Sequence, residues 1–426
     1  MVSTNSEIKG IFAREILDSR ANPTLEATVV LESGAVGVAS VPSGASTGAY
    51  EAVELRDKDE RFSGKGVLRA IDSVNTKIAP SLLGISALDQ GRADSIMITL
   101  DGTENKSNLG ANAILSVSLA IARAAAEHQK LPLYRYLGGL TNNALPIPMM
   151  NILNGGAHAS NNIDIQEFMI VPHGADSFCE SVRMGAEVYF ELKKILAEGG
   201  FSQGVGDEGG FAPNLEGENE VIEIILKAIK KAGFTAGKDI SLALDVASSE
   251  WYDKKTDTYF LPKAKKTLDR EELSKLLLSL AEEYPIISIE DGMAEDDVKG
   301  WKMLTENAPK KLMLVGDDLF VTNKSRLAFG VEKKIANSIL IKPNQIGSLS
   351  EVIETVEYAK ASSYRTIMSH RSGETADTFI SDFAVALGTE FVKMGAPARS
   401  ERAEKYNRLM KIESELFAPA YMGEIL

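Results

Sequence analysis

The chain has 426 residues, 44% apolar and 25% charged, with Lys and Arg totalling 46 against 60 for Asp and Glu and a net charge of −14. A chain of this size buries a substantial core without metals or disulfides, and its acidity disfavours nucleic acid and anionic lipid as main partners. An anionic substrate would need a local positive pocket, built by metal ions or clustered Lys and Arg. Length suggests about two or three domains, or one large barrel with a smaller partner. Cys179 is the single cysteine, so no internal disulfide forms, and its place in a helical pattern predicts a buried, inert thiol. The stretch Met1 to Glu7 has neither a basic region nor an apolar run, so no secretory signal is expected. The longest near-apolar run, Ala144 to Leu153, is broken by Pro146 and Pro148 and falls short of the about 20 residues that span a bilayer. A soluble, cytoplasmic protein is expected.

Along the chain, Ile8 to Leu17 and Thr24 to Val41 are rich in Ile, Val and Thr and are punctuated by Asn22-Pro23 and Ser33-Gly34, which predicts an antiparallel meander. Val67 to Leu82 and Ala111 to His128 read as amphipathic helices. The composition turns to Gly and Asn around Leu137-Gly-Gly-Leu-Thr-Asn-Asn, which places a boundary between an N-terminal α+β domain, residues 1–138, and a second domain, residues 139–426. Beyond it come Pro148-Met-Met-Asn-Ile-Leu and Glu167-Phe-Met-Ile-Val, then two helical stretches, Asp176 to Glu198 and Asn219 to Ala232. Short apolar runs that end in charge then recur: Ser241 to Asp245, Ile286 to Glu290, Leu312 to Asp317, Ser338 to Lys342, Thr366 to His370 and Glu390 to Lys393. The last five are spaced by about one strand–helix unit, and the wider gap after Asp245 holds a hairpin excursion at Trp251 to Leu261. Eight strands fit an α/β fold with a parallel barrel and one irregular early connection, the strand ends carrying the active site. A doubly wound open sheet is the competing fold, but Asn154-Gly-Gly is no dinucleotide-binding turn.

Asp245, Glu290 and Asp317 each close a predicted strand at the same end. Any one of them reads as a helix N-cap or as a ligand. Three facing one mouth would repel severely, and oxygen ligands without His or Cys point to Mg²⁺. Lys342, His370, Arg371 and Lys393 end the next strands round the ring. A lysine beside a metal and other cations should have its pKa lowered, which would let Lys342 act as a base. Salt bridges from these cations to the three carboxylates are the plainer alternative, and both can hold together. A pocket with acids on one arc and bases on the other suits a phosphorylated carboxylic acid. Gly204-Val-Gly-Asp-Glu-Gly-Gly sets two acids among four glycines, a loop able to hold a carboxylate at an angle other residues would not reach. Pro42-Ser-Gly-Ala-Ser-Thr-Gly48 is small and hinge-like, as a closing lid would be.

The chain resembles the enolase family from end to end. The matching stretches include Ala13-Arg-Glu-Ile-Leu-Asp-Ser-Arg, Ser43-Gly-Ala-Ser-Thr-Gly, Asp101-Gly-Thr-Glu-Asn-Lys-Ser, Leu109-Gly-Ala-Asn-Ala-Ile-Leu and Asn154-Gly-Gly-Ala-His. Further on are Gln166-Glu-Phe-Met-Ile, Gly206-Asp-Glu-Gly-Gly-Phe-Ala-Pro, Ser288-Ile-Glu-Asp-Gly, Ile341-Lys-Pro-Asn-Gln-Ile-Gly, Ser369-His-Arg-Ser-Gly-Glu-Thr and Arg399-Ser-Glu-Arg. The resemblance implies an eight-stranded enolase-type TIM barrel, with two strands and two helices followed by six strand–helix units, behind an N-terminal α+β domain. It implies a reversible, Mg²⁺-dependent dehydration of 2-phosphoglycerate to phosphoenolpyruvate, with two ions per site during turnover. By motif, Asp245, Glu290 and Asp317 match the ligands of the first ion, and Ser46 in the lid matches the position that joins a second on closure. Lys342 matches the base and Glu208 the acid that helps the hydroxyl leave. His158, Gln166, Glu167, His370, Arg371, Ser372 and Lys393 match substrate contacts, alongside Glu290, Asp317 and Lys342. A homodimer or octamer is implied, with a surface or secreted fraction beside the cytoplasmic one.

Four departures stand out: Ala21 where the family has Gly, Ser160 where Asp is usual, Ala376 in place of an acid, and Glu390-Phe-Val-Lys-Met-Gly where Gly-Gln-Ile-Lys-Thr-Gly is usual. None removes a residue given a chemical role. By strand alternation Phe391 should share the pocket face with Lys393, while Glu390 and Met394 face the helices, Glu390 with a cationic partner. Two rival functions stand against the resemblance. Another acid–sugar enzyme of the superfamily would carry Lys-X-Lys on an early barrel strand, where this chain has Pro148-Met-Met-Asn and Gln166-Glu-Phe. A weakly active or non-catalytic paralogue kept for binding, such as a plasminogen receptor, would favour a C-terminal lysine, where this chain has Gly423-Glu-Ile-Leu426.

Overall fold

Alternation of buried and half-exposed side chains makes the N-terminal third a meander. A computed structural model describes residues 5–45 and 48–425. Strands β1 (Ile8–Leu17), β2 (Pro23–Leu31) and β3 (Val36–Ser40) pair antiparallel in that order. Leu25, Ala27, Val29 and Leu31 occupy alternate positions of β2 and are fully buried, as a one-faced sheet requires. Helices α1 (Gln90–Asp101) and α2 (Ala111–Gln129) follow, and α2 lies on β2 and β3. The helix expected at Val67 to Leu82 forms as three joined pieces, Leu68–Asp72, a π-helical Ser73–Ile78 and Ala79–Leu82.

Eight further strands close into a barrel. They are β4 (Ile147–Asn154), β5 (Glu167–Val171), β6 (Ser241–Asp245), β7 (Ile286–Glu290), β8 (Met313–Gly316), β9 (Ser338–Ile341), β10 (Arg365–Ser369) and β11 (Phe391–Lys393), neighbours in chain order with β11 returning to β4. Helices α3 (Phe178–Glu198) and α4 (Glu218–Lys231) separate β5 from β6. The six later strands are each followed by one long helix: α5 (Arg270–Glu283), α6 (Val298–Asn307), α7 (Lys324–Lys333), α8 (Leu349–Ala361), α9 (Phe379–Leu387) and α10 (Ser400–Glu415), with a short helical turn, Pro343–Ile346, ahead of α8. The barrel is not wholly parallel, because β5 runs antiparallel to both β4 and β6. Residues 155–166 connect β4 to β5 without a long helix, and a chain that turns back without a crossover must reverse direction. The excursion after β6 forms as Tyr252–Asp253 and Thr258–Leu261, joined by a third strand, Lys266–Leu268.

Period two sorts each barrel strand into an inward and an outward set. Met149, Met169, Ala243, Val315, Leu340, Ile367 and Phe391 belong to the apolar cluster inside the barrel, whereas Leu314, Ile339, Met368 and Val392 pack outward with the helices. Phe391 and Met394 fall on the expected faces, Phe391 in the barrel interior and Met394 in the outer core. Glu390 departs from expectation. Its carboxylate accepts from the Thr366 N–H at 2.9 Å and the Thr366 hydroxyl at 2.7 Å, so neutral donors on β10 take the place of a directly paired cation, with Lys360 near enough to feel its charge. Cys179 also departs, lying exposed on α3 rather than buried. Its surroundings and the Glu413 carboxylate push the thiol up to about 12, so it stays an unreactive thiol at neutral pH.

The N-terminal layers are tied to the barrel by a bidentate pair. Arg123 on α2 donates to both oxygens of Asp377, each at 2.7 Å, and the same carboxylate accepts from the Ser40 N–H at 2.9 Å. Burial would raise the Asp377 carboxyl, but Arg123 outweighs it and holds the group below the usual carboxylate range. A depressed folded-state pKa gives stability that is present above the unfolded pKa and lost as pH falls through the folded one. Asp377→Asn is therefore expected to lower unfolding free energy by about 3 kcal/mol at neutral pH. In urea titrations the gap between variant and native chain should close as pH drops below about 4.

Candidate active site

One pleat above the apolar layer, the inward side chains become polar. Stepping two residues from Met149, Met169, Ala243, Val315, Leu340, Ile367 and Phe391 gives Asn151, Glu167, Asp245, Asp317, Lys342, Ser369 and Lys393, and β7 adds its terminal Glu290. Each is held at the end of a strand whose lower part is locked by packing, so the charges cannot drift apart. Glu167, Asp245, Asp317, Lys342 and Lys393 line a cavity of about 530 Å³, with His158, Gln166, Glu208, His370, Arg371 and Ser372. Of the described residues expected at the site from the sequence, all line this cavity except Glu290, which lies behind it in contact with Lys393. Ser46 lies outside the described residues.

Lys393 is the hub of this layer. Its Nζ donates to Asp245 Oδ2 at 2.8 Å and to Glu290 Oε1 and Oε2 at 3.0 and 2.9 Å, with Glu167 Oε2 at 3.3 Å. Burial opposes the charge, but the carboxylates prevail and hold the ammonium well above the usual lysine value. Burial and the Asp245 charge push Glu290 well above the usual carboxylate range in spite of Lys393. One ammonium is too little positive charge for these acids.

Lys342 pairs with Asp317, whose other oxygen accepts from Gln345 Nε2 at 2.8 Å. The downward shift expected for Lys342 supposes a metal beside it; from the protein's own groups the shift is upward. Burial lowers it and so do Arg371 and Lys393, but Asp317 more than compensates and the ammonium is held above its ordinary value. A direct carboxylate contact, which spacing along the chain does not reveal, outweighs the cations round the ring.

Glu208 comes from the glycine-rich loop, and the loop needs its glycines. A Cβ on Gly210 would stand 2.4 Å from Asn154 Oδ1 and 3.0 Å from Asn151 Oδ1. Asn151 Nδ2 donates to Glu208 Oε2 at 3.0 Å, and His370 Nε2 lies 3.4 Å from the same oxygen. His158 Nδ1 lies 3.9 Å from Glu208 Oε1 and 3.6 Å from Glu167 Oε1. Burial would raise Glu208, but His370, His158 and Arg402 hold it well below the usual range, while burial and the Glu208 charge push Glu167 well above. Two buried carboxyls so close titrate as a pair, which favours one shared proton over two full charges. Burial keeps His370 neutral, at about 3.

Arg371 presents a planar fork, and Glu51 occupies it, Nη1 and Nη2 donating to the two Glu51 oxygens at 2.9 and 3.1 Å; Nη1 also reaches Asn344 Oδ1 at 3.0 Å. The lid-like segment docks beside it: Ser43 bridges Gly373, and the Ala45 N–H donates to Ser372 Oγ at 2.8 Å. Glu51, Asn151, Gln345 and Asp291 were not picked out from the sequence. Asp291 accepts from the backbone N–H of Asp317 at 3.0 Å and of Asp318 at 2.9 Å, which aims the Asp317 loop. The one available signal was Asp291's place directly after Glu290 in Ser288-Ile-Glu-Asp-Gly.

The donor set fits a hard divalent cation. Asp245, Glu290 and Asp317 offer only carboxylate oxygens, and the strain on Glu290 is of the kind a cation relieves. The arrangement is not a closed three-oxygen cluster, since Lys393 stands between Asp245 and Glu290 and Lys342 takes Asp317. Among the described residues two groups at this mouth have ligand atoms within 4.8 Å of one another, His158 with Glu167 and Glu208, and Asp291 with Asp317 and Asp318; burial and Asp317 push Asp318 up to about 8. Metal binding here requires the two lysines to give up carboxylate contacts.

Comparison with known proteins agrees in both parts of the chain. Residues 8–137 match the family described as "Enolase, N-terminal domain", and residues 142–424 match "Enolase, C-terminal TIM barrel domain". A protein named Enolase from a Nitratiruptor species is 58% identical over 419 residues, covering 98% of this chain and 99% of that one. With a closed eight-stranded barrel, a charged layer at the strand ends and matches across both parts, the chain belongs to the enolase family.

Proposed function

We infer that the protein is a hydro-lyase that interconverts 2-phosphoglycerate and phosphoenolpyruvate. The observation that carries this reading is one cavity with Lys342 beside the strand-end acids, the Glu167–Glu208 pair and the Arg371 fork, in a chain 58% identical to an enolase over nearly its whole length. The family is metal-dependent, and we assign Mg²⁺ to Asp245, Glu290 and Asp317. When bound, the ion supplies positive charge beside the substrate carboxylate, where negative charge builds as the adjacent carbon loses its proton.

In this reading Lys342 takes that proton. It can do so once Asp317 no longer holds the ammonium, because burial, then Arg371 and Lys393, lower its pKa with only Glu290 opposing. Hydroxide leaves poorly, so the Glu167–Glu208 pair delivers its shared proton to the departing oxygen through Glu208. Arg371 and Ser372 receive the phosphate, by a planar fork and a hydroxyl, and His158, Gln166, His370 and Lys393 complete the substrate contacts. Ser46 joining a second Mg²⁺ on lid closure belongs to the same proposal. So do a domain boundary at 138/139, supported by the two family matches, and a homodimer or octamer and a cytoplasmic location, supported by the family. Among the described residues no helix is long and apolar enough to cross a membrane.

The metal assignment is tested by Asp245→Asn, Glu290→Gln and Asp317→Asn. Each should weaken Mg²⁺ binding by calorimetry, abolish turnover and remove the thermal stabilisation that Mg²⁺ confers by linkage. Unchanged affinity in all three would refute it.

The base and the acid separate by isotope exchange. Lys342→Ala should lose exchange of the substrate's carbon-bound hydrogen with solvent, whereas Glu208→Gln should lose dehydration and keep exchange. The reverse pattern by NMR would exchange the two roles.

Phe391 bears on the rival reading of a weakened, non-catalytic relative. It is buried in the barrel's apolar interior one layer below Lys393, and not in the cavity lining. Its difference from the family therefore alters core packing and leaves the reacting groups in place. Phe391→Gln should lower stability by about 1 to 3 kcal/mol, the cost of burying an unpaired amide, and change turnover only a few-fold. A gain of orders of magnitude from an almost inactive parent would favour the rival.

A further inference from the structure

Arg402 sits in the first turn of α10, fully buried, and the chemistry above leaves it without a task. Its guanidinium reaches four groups. Nη1 meets His370 Nδ1 at 2.5 Å and donates to Arg371 O at 2.6 Å, while Nη2 donates to Ser372 O at 2.6 Å and to Asp207 O at 3.2 Å. One side chain thus ties the end of β10, which carries His370, Arg371 and Ser372, to the loop that carries Glu208. The convergence has a backbone requirement. Gly395 has φ +80°, and a Cβ there would stand 2.8 Å from Glu208 O, 2.9 Å from Arg402 Cδ and 3.0 Å from His370 Cε1. Only glycine lets the three meet.

An arginine has donors and no acceptor, and it does not lose its proton in a protein. The nitrogen facing it, His370 Nδ1, must therefore present a lone pair. A protonated Nδ1 would set two donors head to head at hydrogen-bonding distance. The proton of the neutral ring then lies on Nε2, which faces Glu208 Oε2 at 3.4 Å. That oxygen accepts from Asn151 Nδ2 at 3.0 Å. The ring nitrogen makes no hydrogen bond at that distance, but with Asn151 donating to Oε2 and the His370 ring turned toward the same oxygen, the oxygen left for an exchangeable proton is Oε1, on the side of His158 and Glu167.

We propose that Arg402 is a positioning residue: it fixes His370 as the neutral Nε2–H tautomer, turns that N–H toward Glu208 Oε2, and so favours Glu208 Oε1 as the oxygen that carries the proton given to the leaving group. The proposal rests on the reading of Glu208 as the proton donor in the dehydration. The charged groups facing His370 are Glu208 from the glycine-rich loop, Arg402 from α10 and Lys393 from β11; burial, with Arg402 and Lys393, outweighs the opposing Glu208 charge and holds the ring at about 3. His370 should accordingly stay neutral over the whole working range.

The test is nitrogen-15 NMR of the histidine side chains in the full chain between pH 5 and 9, the His370 signals assigned by their loss in His370→Gln. The expected result is a neutral His370 throughout, with the proton on Nε2. A proton on Nδ1, or a ring that titrates in this range, overturns the proposal whatever the Arg402 variants do. In folded Arg402→Met, His370 should gain Nδ1–H or begin to titrate, and kcat should fall about 100-fold, the scale of a misplaced catalytic group, with KM changing less. Arg402→Lys, which still donates a proton, should restore the tautomer and part of kcat. A folded Met variant with the native tautomer and native kcat overturns the proposal. Absence of dehydration by the native chain would instead refute the functional reading, and the nitrogen spectra would still decide the tautomer.

Discussion

Alternate side chains of every strand in a closed barrel point inward, and in this one the inward positions at the strand ends are charged. The layer beneath it is apolar and close-packed, so the charges cannot sink and water reaches them from one side only. Glu167, Asp245, Glu290 and Asp317 occupy four inward positions on one arc, and Lys342 and Lys393 answer from the other. Ion pairs in such a place are costly to desolvate and weak evidence of stability. Their value is that each is a stored response to a ligand. A cation brought to the acids releases the lysines, and an anion brought to the lysines releases the acids.

Much of this was legible in the sequence because period two and strand length are local properties. Apolar runs that end in Asp245, Glu290, Asp317, Lys342 and Lys393 state both the strand and the end at which its charge lies. The antiparallel β5 was not legible by the same means, because Glu167-Phe-Met-Ile-Val alternates identically whichever way it runs; direction is set by the connection. The raised pKa of Lys342 was missed for a related reason. Which neighbour dominates depends on distances across the barrel, and Asp317 lies 25 residues away in sequence yet in direct contact.

Residues that touch no reacting group were the least legible. Asp291, Asn151 and Arg402 act through hydrogen bonds to another side chain or to backbone, and nothing in their spacing marks that. Cys179 and Glu390 were misjudged on average behaviour, since helical cysteines are often buried and buried acids often meet cations. At both places a particular neighbour decided the matter: Glu413 beside an exposed thiol, and Thr366 supplying two donors to a carboxylate.

The N-terminal layers bear on the site through what they already hold. Glu51 fills the Arg371 fork and the Ala45 N–H holds the Ser372 hydroxyl, so both groups assigned to the phosphate are engaged by the segment that follows β3. A guanidinium edge that pairs bidentately with one carboxylate cannot offer the same two donors to a phosphate. Phosphate at Arg371 therefore requires Glu51 to withdraw or to share, and the segment from Ser43 to Glu51 must change partners as it does so. The Arg123–Asp377 pair holds α2 to the barrel elsewhere, which confines that adjustment to the segment itself. The single guanidinium of Arg371 is thus the place where the segment after β3 and the barrel mouth meet.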